Sequence, residues 1–134
     1  MGELKQAIES LLDANGMLEQ FQNTHGEQFR AKFKLPGFDP LLIWREDGKI
    51  LVAHLRPLGS EIVKEPAVLL TVDWHPLEFV QQQDGLKQTV ARRNGKAITV
   101  LDPVMLTNAK SFCKRWGDEV NMQGWADDAT VMEE

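Results

Sequence analysis

The sequence predicts an α+β fold, an antiparallel sheet of about five to six strands with an N-terminal and a C-terminal helix in two-layer packing. Three observations predict it. Apolar residues recur at helical spacing only near the two ends of the chain, the spacing between them falls to two, and Asp47-Gly48 and Asn94-Gly95 mark tight reversals suited to antiparallel hairpins. A parallel nucleotide-binding sheet is disfavoured because helices do not alternate with strands.

Leu4, Ile8, Leu11 and Leu12 stand at i, i+4, i+7 and i+8 while Glu3, Lys5, Glu9 and Asp13 take the other faces, which predicts an amphipathic first helix. Asn15-Gly16 stops it, since both residues tolerate the left-handed backbone that closes a helix. Met17, Leu18 and Phe21 suit a short second helical piece, ended by Thr24-His25-Gly26. Phe29, Ala31, Phe33 and Leu35 then alternate with Gln28, Arg30, Lys32 and Lys34, so a strand carries apolar groups on one face and cations on the other. Residues 41–45 and 50–55 flank Asp47-Gly48 and are expected to pair. Residues 56–66, with two prolines and Gly59-Ser60, read as a loop, and residues 67–74 as a β-branched and apolar strand. Residues 78–83 read as a short edge strand, and residues 87–93 and 96–101 as a hairpin across Asn94-Gly95. Asp102 supplies a capping carboxylate ahead of Pro103, whose fixed φ suits the first helical position. Met105, Ala109, Phe112, Cys113, Trp116 and Val120 continue as an apolar stripe to Gly124. Residues 1–125 therefore read as a single α+β domain and residues 126–134 as an acidic, mobile tail.

Composition narrows the function classes. The 134 residues are 43% hydrophobic and 26% charged, as in a globular domain with a proper core. A net charge of −5 excludes a polycation that coats nucleic acid, so any basic site has to be local. The single Cys113 excludes an internal disulfide, and charged residues interrupt the first twenty positions where a signal peptide needs an apolar run. No stretch reaches the ~18 apolar residues of a membrane span, so the expectation is a cytoplasmic protein without membrane contact.

No glycine-rich phosphate loop, HExxH, paired CxxC or calcium-binding loop occurs, and the expectation is no cofactor and no metal. Asp73 and His75 share a strand face by the i, i+2 rule, the arrangement of a carboxylate that orients an imidazole, and form a candidate polar site. Cys113 has Lys114 and Arg115 beside it to favour a thiolate, but its place on the apolar stripe makes it a packing residue. Charge is segregated: from Leu86 to Gly117 seven cations face the single anion Asp102. Arg92, Arg93 and Lys96 crowd the expected hairpin tip, and Lys110 and Lys114 share a helix side. Trp125, placed beyond the helix stop, either packs back onto the domain or offers a contact to a partner.

Val52-Ala53-His54, Trp74 with Pro76 and Phe79, Gly85 with Gln88 and Val90, Pro103, Phe112, Trp116 and Gln123-Gly124 resemble an uncharacterised bacterial domain family found in small chromosomal and plasmid-encoded proteins. The resemblance implies a bacterial or mobile-element context and brings no catalytic residue with it. The function read from the sequence is non-enzymatic binding, through a homo-oligomer or an acidic protein partner, with Arg92, Arg93, Lys96, Lys110, Lys114 and Trp125 as contacts. Nucleic-acid binding through the basic hairpin 87–101 is one alternative, and an enzyme with an Asp73/His75 site is the other.

Overall fold

A computed structural model describes residues 2–24, 28–80, 87–94 and 97–132. The predicted α+β architecture is present. Two N-terminal helices, α1 (Glu3–Ala14) and α2 (Leu18–Gln22), precede a meander of β1 (Phe29–Lys34), β2 (Leu41–Glu46), β3 (Lys49–Leu58), β4 (Glu61–Thr71) and β5 (Pro76–Val80). Then come β6 (Lys87–Thr89), the pair β7 (Ala91–Asn94) and β8 (Ala97–Val100), α3 (Pro103–Gln123), α4 (Trp125–Asp128) and β9 (Thr130–Val131). The main sheet runs β6-β5-β4-β3-β2-β1-β9, and its pairings are antiparallel.

Local chemistry explains most of these boundaries. Asp47 (φ 53°) and Gly48 (φ 73°) both adopt positive φ, as a two-residue hairpin with right-twisted strands requires. The Asp102 carboxylate accepts the Met105 amide at 3.0 Å, Pro103 opens α3, and Gly124 closes it at φ 84°. Strand alternation puts Phe29, Ala31 and Phe33 on the inner face of the sheet, where they meet Leu4, Ile8 and Leu11 of α1 and Cys113, Trp116 and Val120 of α3 in one apolar cluster.

Several elements differ from the sequence reading. The expected loop at residues 56–66 continues β3 and β4 as a two-stranded ribbon turned at Gly59. β2 pairs with β3 only as far as His54, so Pro57 lies where no second ladder needs its missing N–H. Pro66, joined by a cis peptide, sits beside the register shift at Ala53/Leu55. β4 ends at Thr71 and the chain turns through Trp74 (φ 65°), so the strand expected to reach Trp74 stops short. The expected edge strand is instead β5, internal between β4 and β6, while its expected residues 81–83 lie outside the described residues. The run 87–93 is split at buried Val90, whose N–H donates to Leu77 O and whose carbonyl accepts from Leu101. Lys87–Thr89 therefore pairs with β5, and only Ala91–Asn94 pairs with β8. With β9 counted the main sheet has seven strands, one beyond the expected five to six, because the acidic segment after Gly124 forms α4 and then pairs with β1 at Phe33↔Val131. Residues 133 and 134 of that segment lie outside the described residues.

One approach fixes how α3 lies. A Cβ on Gly117 would stand 2.4 Å from both the carbonyl carbon of Glu3 and the amide nitrogen of Leu4, so the backbone of α1 rests directly on α3. Backbone on backbone cannot yield as a flexible side chain can. Gly117→Ala is expected to cost about 3 kcal/mol, at the upper end for overpacking. Ser111→Ala, exposed on the same helix, is expected to leave the urea midpoint unchanged or slightly raised. Equal midpoints for the two variants would contradict the close crossing.

Candidate functional site

The candidate site is a cleft of about 440 Å³ between α3, the bend of β3 and β4, and the loop before β2. Helical spacing supplies one wall: Phe112, Arg115, Trp116, Glu119 and Gln123 stand at i, i+3, i+4, i+7 and i+11 and share a side of α3. Phe38 and Asp39 come from the loop, His54 from β3, and Glu65 and Pro66 from β4. His54 falls where the β3–β4 register shifts, and its ring lies 5.5 Å from Trp116 and 5.7 Å from Trp125.

The His54 tautomer follows from its partner. Nδ1 is 3.1 Å from the Asp39 carbonyl oxygen, which can only accept, so Nδ1 carries the proton and Nε2 is left as an acceptor. Burial holds His54 below its ordinary 6.5, against the Asp39 and Pro40 carbonyls and the Asp39 and Glu119 charges, which favour the imidazolium. Glu65 accepts a charge-assisted hydrogen bond from Arg56 Nη2, and its side chain is 12% exposed. Two buried polar atoms, Arg56 Nε and Trp116 Nε1, have no hydrogen-bond partner among the described residues. Among those residues no group of three or more His, Cys, Asp or Glu is placed to hold a metal ion, and no helix is long and apolar enough to cross a membrane.

The residues singled out in the sequence fall elsewhere. Asp73 is exposed in the turn after β4, while half-buried His75 directs Nδ1 to the Pro76 carbonyl at 2.9 Å. They do not share a strand face, because the strand alternation ends at Thr71. Trp125 is 0% exposed and donates from Nε1 to Gln123 Oε1 at 2.8 Å, so it packs back onto the domain, and the contact expected of it gives way to a core role. Arg92 and Arg93 are exposed on β7, with Arg93 Nη1 donating to the Gly48 carbonyl at 3.2 Å, and Lys96 lies outside the described residues. Lys110 is half-buried on α3, and exposed Lys114 pairs with Asp118 one turn on at 3.1 Å, a bond that raises its pKa. Cys113 is buried, and burial pushes its thiol up to about 12, so it is a protonated packing group at neutral pH.

The sequence reading missed Asp39, Glu65, Glu119 and Gln123 as site residues. A half-polar face beside the apolar stripe of α3 was visible signal for Glu119 and Gln123. Asp39 and Glu65 join only through the sheet bend, which leaves no local pattern. No known protein family, curated protein or solved structure matches the chain.

The lowered His54 pKa links the site to stability. Between its folded value and the unfolded 6.5 the unfolded chain binds more protons, so the neutral His54 contribution is full above 6.5 and is lost as pH falls through that window. From pH 7.5 to 5.5 the urea midpoint of the parent should therefore fall further than that of His54→Gln. Equal falls would show that folding does not lower the His54 pKa.

Proposed function

We propose that the protein is a non-catalytic binding protein that acts by association, and that the cleft between α3 and the β3–β4 bend receives a group of its partner. One observation carries this reading: a concave site of about 440 Å³, three of whose polar side chains are already held in place. His54 is fixed by the Asp39 carbonyl, Glu65 by Arg56, and Gln123 by the Trp125 indole. Prefixed groups lose little freedom when a ligand arrives, so more of the contact energy remains as affinity. Cleft size and the mixture of aromatic and charged lining suit a small polar head, either free or at the end of a side chain.

Crystals soaked with a library of small polar fragments of all charges test this reading. Bound fragments are expected to concentrate against His54, Phe112 and Glu119, and to leave the cleft when Gln123→Trp fills it. Fragments scattered over the surface with no excess in the cleft would contradict it.

A further inference from the structure

Phe38, His54, Phe112 and Trp116 line the cleft, and buried Trp125 joins Phe38 to His54 in one row of rings. Phe112 lies 5.3 Å from Trp116 with the planes at 37°, and Trp116 lies 5.5 Å from His54 at 38°. His54 is 5.7 Å from Trp125 at 51°, and Trp125 is 6.2 Å from Phe38 at 52°. Neighbouring planes are inclined by 37° to 52°, so the rings do not form one continuous plane. Phe38, 43% exposed, and half-buried Phe112 and His54 reach solvent, while Trp116 and Trp125 are buried.

Charge around this wall is unbalanced. Three lining carboxylates, Asp39, Glu65 and Glu119, stand against the one lining guanidinium of Arg115. Glu65 is already paired with Arg56, which leaves Asp39 and Glu119 as the acidic side of the opening. Aromatic faces are electron-rich and attract cations, and carboxylates do the same at longer range. An anion meets both repulsions, and a neutral apolar group leaves the carboxylates unused.

We propose that this cleft receives an alkylated ammonium group. The inference rests on the binding reading above and names the chemistry that the site selects. Methyl groups of such a head contact the aromatic rings beside His54, and its charge is balanced by Glu119 and Asp39. An unmethylated ammonium is compact and strongly hydrated, so it gives up more water to reach the rings. Two sources carry the favoured chemistry, a methylated lysine of a partner protein and a free quaternary amine.

Calorimetric titration with choline, with N-acetyl-trimethyllysine amide and with 3,3-dimethylbutan-1-ol, the uncharged carbon counterpart of choline, tests the inference. At least one cation is expected to bind saturably and to shift the His54 ring resonances, with the neutral alcohol weaker by about tenfold. Glu119→Gln is expected to weaken the cation by about fivefold and Arg115→Gln to tighten it, opposite signs that general damage to the fold does not produce. Tighter trimethyllysine points to a partner's side chain and tighter choline to a free amine, and either supports the proposal. Equal affinity for the neutral alcohol, a His54 shift with phosphate or acetate in place of the cations, or no saturable binding of either cation would overturn it. If soaked fragments fill the cleft while both cations fail, the binding reading stands and this inference alone falls.

Discussion

The structure depends most on the seat of α3 against α1. Gly117 has no side chain because Glu3 and Leu4 occupy that space with backbone, and this contact sets the rotation of a 21-residue helix about its own axis. With that rotation set, Cys113, Trp116 and Val120 face the sheet core, and Phe112, Arg115, Glu119 and Gln123 line the cleft. The ends of the helix are set as firmly. Asp102 fixes where α3 starts, and left-handed Gly124 turns the chain so that Trp125 enters the core next to His54. β9 then ties the segment after α4 to the free edge of β1, with the Met132 amide donating to the Lys32 carbonyl at 2.8 Å.

The cleft concentrates polar groups that the rest of the interior avoids. Among the described residues Thr71 is the one buried polar residue, whereas the cleft and its edge gather an imidazole, a carboxylate–guanidinium pair and an indole N–H. An unsatisfied buried donor costs about 1–3 kcal/mol, and Trp116 Nε1 and Arg56 Nε find no partner among the described residues. Core packing of Leu41, Ile43, Val52 and Val68 nearby offsets such a cost, since each of these is at 0% exposure. Irregularity collects in the same region: the β3–β4 register shifts at His54 and re-aims its side chain toward α3 and α4.

The fold was legible wherever one period governs one element. α1, β1, the Asp47-Gly48 hairpin and α3 with both caps follow from spacing and turn chemistry that act within a few residues. Legibility failed where a distant partner decides the outcome. Two prolines and Gly59-Ser60 look like a loop, yet β3 and β4 hold each other across the ribbon through Arg56↔Val63 and Leu58↔Glu61. Val90 reads as one more strand residue, and burial against the body of the protein breaks the run in two. Gly117 looks like a flaw in an apolar stripe, and only the crossing with α1 explains it. The same holds for the cleft, whose α3 side is a visible helix face while His54, Asp39 and Glu65 meet it through the bend of the sheet.

The loop before β2, the sheet bend and α3 together hold His54 as a neutral, oriented acceptor in the cleft. A long-range ¹H–¹⁵N correlation spectrum of the imidazole nitrogens at pH 7 tests it most directly, because it distinguishes the two neutral tautomers and the imidazolium. The expected result is a neutral ring with the proton on Nδ1, bound to the Asp39 carbonyl, and a bare Nε2. A proton on Nε2, or a doubly protonated ring at that pH, would contradict it.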